Sequence, residues 1–215
     1  MSELQTKTII SKAKVVFVGN SSVGKTALFQ RFDKKNFSPD TSTTVGGACA
    51  NISVSLQDPI SNASSDDQVP LIVWDTAGQE SYRSIVPMYF SRVAFILVVY
   101  DITSRSSFES VEGWFKLSKE KAPEWAKIIL IGNKADLDET SRKVTFSEGN
   151  DLCNKLGGFM FTETSAVTGS GIKDLLVAIA TTAKEDAVTK AQLVGAGEIA
   201  IGEDDEEEET NGKCC

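Results

Sequence analysis

Short apolar runs alternate along the chain with segments of helical periodicity. Continuous apolar runs are typical of parallel strands that are buried on both faces. Five such runs occur, at residues 15–18, 71–74, 93–100, 128–131 and 159–161. In residues 52–56 apolar and polar positions alternate instead, which predicts a half-exposed antiparallel strand at the edge of the sheet.

Helical stripes lie between the apolar runs. Phe108, Val111 and Phe115 recur at i, i+3 and i+7. A later stripe consists of Ile172, Leu175, Leu176, Ile179 and Ala183. Strands that alternate with helices predict an α/β fold, here a mixed, mostly parallel six-stranded sheet with helices on both faces and one antiparallel edge strand. Ligands of such sheets bind beyond the carboxyl ends of the strands.

Composition divides the chain into one domain and a tail. Its 215 residues carry a net charge of −8. Residues 188–215 account for −6 of this charge, because they contain eight acidic residues and only two lysines. We therefore predict an N-terminal extension at 1–11, one domain at 12–187 and a disordered acidic tail at 188–215. Residues 58–68 are polar and aperiodic, which predicts an exposed loop.

Charge and residue types exclude several kinds of function. The folded part lacks the basic excess that a nucleic-acid partner requires. The chain has no histidine, which removes Ser-His and Cys-His nucleophile pairs and histidine-ligated metal sites. The spacing of the four cysteines suggests neither a disulfide framework nor a zinc site, so we expect a reducing, cytosolic setting. The longest apolar run is too short to span a bilayer.

Residues 19–26 fit the phosphate-loop pattern G-x-x-x-x-G-K-[ST]. They follow a predicted strand and precede a predicted helix, so backbone N–H groups around Ser21, Ser22, Val23 and Gly24 can surround a phosphate. Lys25 would supply charge to the β- and γ-phosphates, and the Thr26 hydroxyl would bind Mg²⁺. The alternative is an ordinary glycine-containing turn.

The segment from Trp74 to Glu80 ends another apolar run. Asp75 is placed to hold Mg²⁺ through water, and the Gly78 N–H can approach a γ-phosphate. The Gln79 amide can orient an attacking water, which makes Gln79 the candidate catalytic residue. By itself D-x-x-G is a common turn.

A third motif predicts which base is bound. It contains Asn133, Lys134 and Asp136, after the run at 128–131. The Asp136 carboxylate can accept from N1–H and the N2 amine of guanine, a donor pair that adenine lacks. The Lys134 stem can cover the ring, and Asn133 can brace neighbouring loops. A fourth motif, residues 164–166, follows another predicted strand, and a backbone N–H near Ser165 and Ala166 could meet guanine O6.

These four motifs, in this order, resemble the Ras superfamily of small GTPases. The segments 74–80 and 99–103 and the terminal Cys214 and Cys215 are similar to the Rab family. The resemblance covers about residues 12–184. It implies the phosphate-loop small-GTPase fold, GTP and GDP binding with Mg²⁺, slow GTP hydrolysis and a membrane-anchored switch in vesicle trafficking that recruits effectors in its GTP form.

The resemblance also assigns two residues in the predicted switches. Phe37 would stack on guanine. Thr44 would bind both the nucleotide and Mg²⁺, and only when the γ-phosphate is present. Switch I would then be about residues 38–46, and switch II about residues 77–90.

Partners and location are likewise implied by the resemblance. They are effectors, an exchange factor, a GTPase-activating protein and a dissociation inhibitor that act on a monomer. Cys214 and Cys215 would carry two geranylgeranyl groups that anchor the protein to the cytoplasmic face of endomembranes, with a second pool in the cytosol. Residues 87–90 resemble early-endosomal Rabs, which leaves endosomes as one option.

One position departs from the family pattern, and two other functions stay open. Cys49 stands where Rab proteins usually carry a Phe that packs on the counterparts of Trp74 and Tyr89, which trims the apolar effector surface. The chain could be a module that binds nucleotide without hydrolysing it, although Gln79 argues against this. It could also be a phosphate-loop kinase or ATPase, although Asp136 argues against that.

Overall fold

The computed structural model describes residues 12–33, 47–56, 67–76, 86–137 and 139–195. Within these residues one sheet of six strands carries the fold, in the spatial order β2-β3-β1-β4-β5-β6. The strands are β1 Ala13–Val18, β2 Gly47–Leu56, β3 Asp67–Thr76, β4 Val93–Asp101, β5 Lys127–Asn133 and β6 Met160–Thr164. Four pairings are parallel, and only β2 runs antiparallel to its neighbour β3 at the edge. The predicted sheet is thereby confirmed.

Helices connect the strands and cover both faces of the sheet. The α-helices are α1 Lys25–Phe32, α2 Arg105–Glu109, α3 Val111–Lys121, α4 Phe146–Lys155 and α5 Ile172–Gly195. The described residues also include two short 3-10 helices, Val86–Phe90 and Glu139–Ser141. Among the described residues, no helix has the length and apolar character that crossing a membrane requires.

The central strand β1 explains why its sequence reads as a continuous apolar run. Val15 and Phe17 point into a core with α1 and α5, whereas Val16 and Val18 point into a second core with α3 and α4. All four side chains are fully buried. Successive side chains of a strand alternate between faces, so a strand covered on both sides must be apolar at every position.

Three boundaries differ from the prediction. The stripe from Phe108 to Phe115 is divided at Ser110, which caps the end of α2 and the start of α3. Strand β3 begins at Asp67, so Asp67 and Gln68 belong to this strand rather than to the predicted loop. Both residues pair with β2. Helix α5 continues to Gly195, past the predicted domain end at 187. A helix can outlast its apolar stripe because backbone hydrogen bonds propagate it.

Candidate nucleotide-binding site

The carboxyl ends of five strands meet at one edge of the sheet and bring polar groups from distant parts of the chain together. The loop after β1 contributes residues 19–24, and β3 ends beside Asp75. Strands β4, β5 and β6 end at Asp101, Asn133 and Thr164. We call this the carboxyl edge. Parallel strands align their carboxyl ends, which is why motifs so far apart in sequence converge.

The loop after β1 adopts a backbone that only particular residues allow. Ser22 and Gly24 have positive φ values of 62° and 97°. A Cβ on Gly24 would lie 2.2 Å from the Asn133 Nδ2 atom, so glycine is required both for backbone conformation and for space. The Val23 side chain is buried and anchors the loop, whereas Ser21 and Ser22 are exposed.

Lys25, the first residue of α1, reaches back across this loop. Its Nζ atom donates to the carbonyl oxygens of Gly19 at 3.0 Å and Asn20 at 2.8 Å. The residue is only 5% exposed. Burial lowers the pKa of Lys25 to about 8, and the nearby Asp75 carboxylate partly opposes this shift. An anion at the loop would therefore meet a preoriented ammonium group.

Thr26 and Asp75 place two oxygen ligands side by side. The Thr26 hydroxyl donates to Asp75 Oδ2 at 2.7 Å, and Asp75 is fully buried. The neighbouring Thr76 hydroxyl donates to the Phe17 carbonyl oxygen, which ties β3 to β1. Among the described residues no three His, Cys, Asp or Glu side chains form a metal-binding group. A hydroxyl and one carboxylate suit Mg²⁺, which takes its remaining oxygens from phosphate and water.

Asn133, at the end of β5, joins the loop after β1 to the end of β6. Its Nδ2 group donates to the Val23 carbonyl oxygen at 2.9 Å, and its Oδ1 atom accepts from the Thr164 hydroxyl at 3.2 Å. The residue is 1% exposed. These contacts agree with the predicted bracing.

Lys134 has a positive φ of 69° and forms an ion pair with Asp101, with 2.6 Å between Lys134 Nζ and Asp101 Oδ2. Asp101 Oδ1 accepts from both the backbone N–H and the hydroxyl of Thr103. Asp101 therefore fixes the lysine side chain at the carboxyl edge. In the sequence, Asp101 is marked only by the family resemblance of residues 99–103 and by its position at the end of an apolar run.

Asp136 and Ser165 are brought into contact from loops after β5 and β6. The Ser165 hydroxyl donates to Asp136 Oδ1 at 2.6 Å and accepts from the Thr168 N–H at 3.0 Å. Asp136 itself is exposed. Each carboxylate oxygen can accept two hydrogen bonds, so this contact orients Asp136 and leaves its carboxylate able to accept further hydrogen bonds.

Two residues that the sequence did not single out support these loops. Asn20 donates through Nδ2 to the Ser110 hydroxyl at 2.9 Å and accepts from Trp114 Nε1 at 2.8 Å. Arg31 of α1 donates through Nε to the Ala166 carbonyl oxygen at 2.6 Å, and through Nη2 to that of Val167. Asn20 occupies an unspecified position of the motif, and Arg31 lies outside it. No sequence signal marked either residue.

The aromatic pair near the predicted effector surface is present. The ring centroids of Trp74 and Tyr89 lie 5.6 Å apart, and Cys49 pairs with Trp74 in the β2–β3 register. A Cβ on Gly47 would lie 2.7 Å from the Tyr89 hydroxyl oxygen. Small residues in this part of β2 therefore let Tyr89 lie directly over the strand.

Several predicted residues lie outside the described part of the chain. They are Phe37, Thr44, Gly78, Gln79, Cys214 and Cys215, together with the predicted switch I and the first part of switch II. Their roles stay predictions.

Comparison with known proteins agrees with this arrangement. Residues 14–185 match the model of the Ras family. The chain is 36% identical to the Ras-related protein RABE1e of Arabidopsis thaliana over 85% of this chain and 81% of that protein. It is 38% identical to the Ras-related protein Rab-2B of Dictyostelium discoideum over 75% of each chain. It is 34% identical to the Ras-related protein SEC4 of Candida albicans (strain WO-1) over 94% of this chain and 93% of that protein.

Relatives of this identity and coverage share the fold over nearly the whole domain. The phosphate loop, the guanine motif and the strand order all occur in the described residues at the expected places. This chain therefore belongs to the Ras family of small GTPases and, within it, to the Rab proteins, which bind guanine nucleotides, hydrolyse GTP and act in vesicle trafficking through regulators and effectors.

Proposed function

We propose that the carboxyl edge binds GTP and GDP with the phosphates in the loop after β1. The observation that carries this proposal is the convergence of Lys25, Asp75 and Asn133 at that edge, each nearly or fully buried. The backbone N–H groups of residues 21–24 and the start of α1 point their partial positive charge at the phosphates. Lys25 exchanges its contacts with the loop carbonyls for phosphate oxygens.

Asp136 selects guanine over adenine. Its carboxylate, oriented by Ser165, accepts from N1–H and the N2 amine of guanine. Lys134, held by Asp101, lies along the ring, and Phe37 stacks on the base. The backbone around Ser165 and Ala166, which Arg31 braces, contacts guanine O6.

Mg²⁺ fits the same edge, where Thr26 and Asp75 would hold it, Asp75 through a water molecule. When bound, the ion would neutralise part of the negative charge on the phosphate oxygens. Thr44 joins these ligands when the γ-phosphate is present, which couples switch I to the state of the nucleotide. The 2.7 Å contact between Thr26 and Asp75 supports this assignment.

Gln79 is the proposed catalytic residue for hydrolysis. Its amide orients the attacking water, and the Gly78 N–H contacts the γ-phosphate. We assign no arginine finger within the chain, so we infer that a GTPase-activating protein accelerates the reaction. Loss of the γ-phosphate releases Thr44 and Gly78, and both switches relax.

Cys214 and Cys215 anchor the protein to a membrane through two geranylgeranyl groups. A single lipid chain gives only marginal membrane binding, so stable anchoring needs a second signal. A basic patch often provides that signal, but here residues 203–209 are all acidic and would be repelled by anionic lipids. The protein then acts as a monomer on the cytoplasmic face of endomembranes, and a dissociation inhibitor maintains a cytosolic pool.

Single-turnover GTP hydrolysis separates this enzyme from a module that only binds nucleotide. We expect Gln79→Leu to retain GTP and to hydrolyse it at least about tenfold more slowly than the wild type, since it loses the group that orients water. Gln68→Leu, at an exposed position of β3, is the matched control and should hydrolyse GTP at the wild-type rate. Equal rates for Gln79→Leu and the wild type would remove Gln79 from the mechanism.

A further inference from the structure

A groove of about 310 Å³ opens at the end of the sheet opposite the nucleotide site. The amino ends of β1 and β5 and the residue before β4 form one wall, and the second half of α5 forms the other. We call it the cationic groove because five of its lining residues are basic: Lys12, Lys14, Arg92, Lys127 and Lys190. Among the described residues that line it, Asp186 is the one carboxylate.

Among the described residues that line the groove, basic side chains outnumber carboxylates. Lys127 Nζ pairs with Asp186 at 2.5 Å, and Lys14 Nζ donates to the Ser91 carbonyl oxygen. Lys12, Arg92 and Lys190 are exposed. With one carboxylate against five cations, the groove keeps a positive excess within a chain whose net charge is −8.

The chain itself carries an anionic segment of matching charge within reach. Residues 203–209 are seven consecutive acids, and α5, which forms one wall of the groove, ends at Gly195. The seven residues between span up to about 23 Å when extended. The return path along α5 from Gly195 to Ala183 is about 18 Å at 1.5 Å per residue. The acidic run can therefore fold back along its own helix into the groove.

We propose that residues 203–209 bind in the cationic groove of the same molecule. A connection of only seven residues gives the segment an effective concentration on the order of millimolar, so a modest attraction suffices for occupancy. Before lipidation, an anionic lipid surface has no such tether, and the free acidic tail would repel that surface. The docked tail therefore keeps this end of the domain from binding anionic surfaces until it is displaced.

Trp125 offers a direct reporter of occupancy. It lines the groove, is 61% exposed, and Lys190 Nζ lies 5.9 Å from its ring centroid. In full-length, GDP-loaded protein, replacing the seven acids by their amides should shift the Trp125 indole N–H resonance. About 0.5 M salt should produce a similar shift, since it screens charge pairs. Trp125→Phe assigns the resonance.

Charge reversal tests whether the groove is responsible. In Arg92→Glu/Lys190→Glu, amide replacement of the tail should leave the Trp125 resonance in place. In the matched control Lys116→Glu/Lys173→Glu, which reverses two exposed lysines outside the groove lining, the shift should persist. An unmoved resonance in the wild-type background overturns the proposal. A shift that vanishes on dilution also overturns it, because the occupant would then be the tail of a second molecule.

Vesicle binding checks the consequence for membranes. Unlipidated protein with the amide tail should bind vesicles containing about 30% phosphatidylserine at least tenfold more tightly than the wild type. Adding Arg92→Glu/Lys190→Glu should cancel that gain, and pure phosphatidylcholine vesicles should bind neither protein. If the wild type binds the anionic vesicles as tightly as the amide-tail protein does, the groove is open and the proposal fails.

Discussion

The two ends of the sheet both collect charged side chains but hold them in different ways. At the carboxyl edge, Lys25, Asp75 and Asn133 are at most 5% exposed, and each forms hydrogen bonds across loops. At the opposite end, Lys12 is exposed. Buried, mutually bonded groups have one geometry and can recognise one ligand shape, whereas exposed cations offer charge without a fixed arrangement.

The largest expected effect concerns recognition by a single carboxylate at the carboxyl edge. Asp136→Asn should weaken GDP binding by at least about 100-fold, because an amide N–H would oppose a guanine donor. The same variant should gain affinity for xanthosine diphosphate, whose second ring carbonyl accepts that N–H. Competition against labelled GDP measures both changes.

Asp151→Asn is the control for that substitution. Asp151 lies on α4, is exposed, and accepts only from the Ser147 hydroxyl among the contacts that the structure shows. It should leave the preference for GDP unchanged. Retained GDP affinity in Asp136→Asn would show that the edge recognises the base without that carboxylate.

The next effect separates steric fit from backbone strain. Gly24→Ala places a methyl group 2.2 Å from Asn133 Nδ2, at a φ of 97°. Gly169→Ala imposes a similar φ of 85° with nothing within 4 Å. Gly169→Ala should lower the free energy of unfolding by about 1 kcal/mol from backbone strain alone. Gly24→Ala should cost about 1–3 kcal/mol more, since the Asn133 bond to Val23 must break.

Urea unfolding at a fixed GDP concentration compares the two alanine variants. GDP dissociation should also accelerate in Gly24→Ala and stay near the wild-type rate in Gly169→Ala. If the two variants lose equal stability, the Asn133 side chain can move away from the phosphate loop at less cost than the distances indicate.

Two ion pairs compare the ends of the sheet directly. Arg142 and Glu163, toward the carboxyl edge, form two hydrogen bonds of 2.7 and 3.0 Å with side chains only 16% and 13% exposed. Lys127 and Asp186, at the opposite end, form one contact with side chains 24% and 45% exposed. Arg142→Met should lower the free energy of unfolding by about 2–3 kcal/mol, because it leaves the Glu163 carboxylate nearly buried and without the guanidinium group that pairs with it. Lys127→Met should cost less than about 1 kcal/mol.

Urea unfolding at several salt concentrations checks the ion-pair comparison. The loss in Lys127→Met should shrink as salt rises, because water and ions reach that pair. The loss in Arg142→Met should change little. Equal losses in the two variants would mean that the ends of the sheet differ less than their burial implies.

The smallest effect is the pH dependence of binding. Burial lowers the pKa of Lys25 to about 8, whereas a phosphate beside the ammonium raises that pKa. Above about pH 8, binding must therefore take up a proton, and GDP affinity should fall by up to about tenfold per pH unit. Below that pH the ammonium is already charged, and the slope should vanish.

Guanine itself loses the N1 proton in alkaline solution, so the difference between wild type and Lys25→Met is the quantity to measure. Lys25→Met binds GDP more weakly but should lack the lysine contribution to the slope. Calorimetry in buffers of different ionisation enthalpy counts the protons. Identical proton uptake in both proteins at about pH 8.5 would assign the titration to another group.

The fold was predictable where burial on two faces forces a simple pattern, as in β1 and β4. Residues such as Lys25 and Asn133 could be found because phosphate and base recognition restrict residue type at fixed spacing. The break at Ser110 was not predictable, since a serine cap looks like any polar position in a helical stripe. Asn20 and Arg31 were missed for a related reason, because their partners lie 90 or more positions away.

The most direct test of the carboxyl edge as a guanine-nucleotide site is displacement of labelled GDP from the Mg²⁺-loaded protein by unlabelled GTP or ATP. We expect GTP to displace the label at equimolar concentration and ATP to fail even at about 1000-fold excess, because adenine offers Asp136 no donor pair. Displacement by ATP as effective as that by GTP would contradict the assignment of Asn133, Lys134 and Asp136 to base recognition.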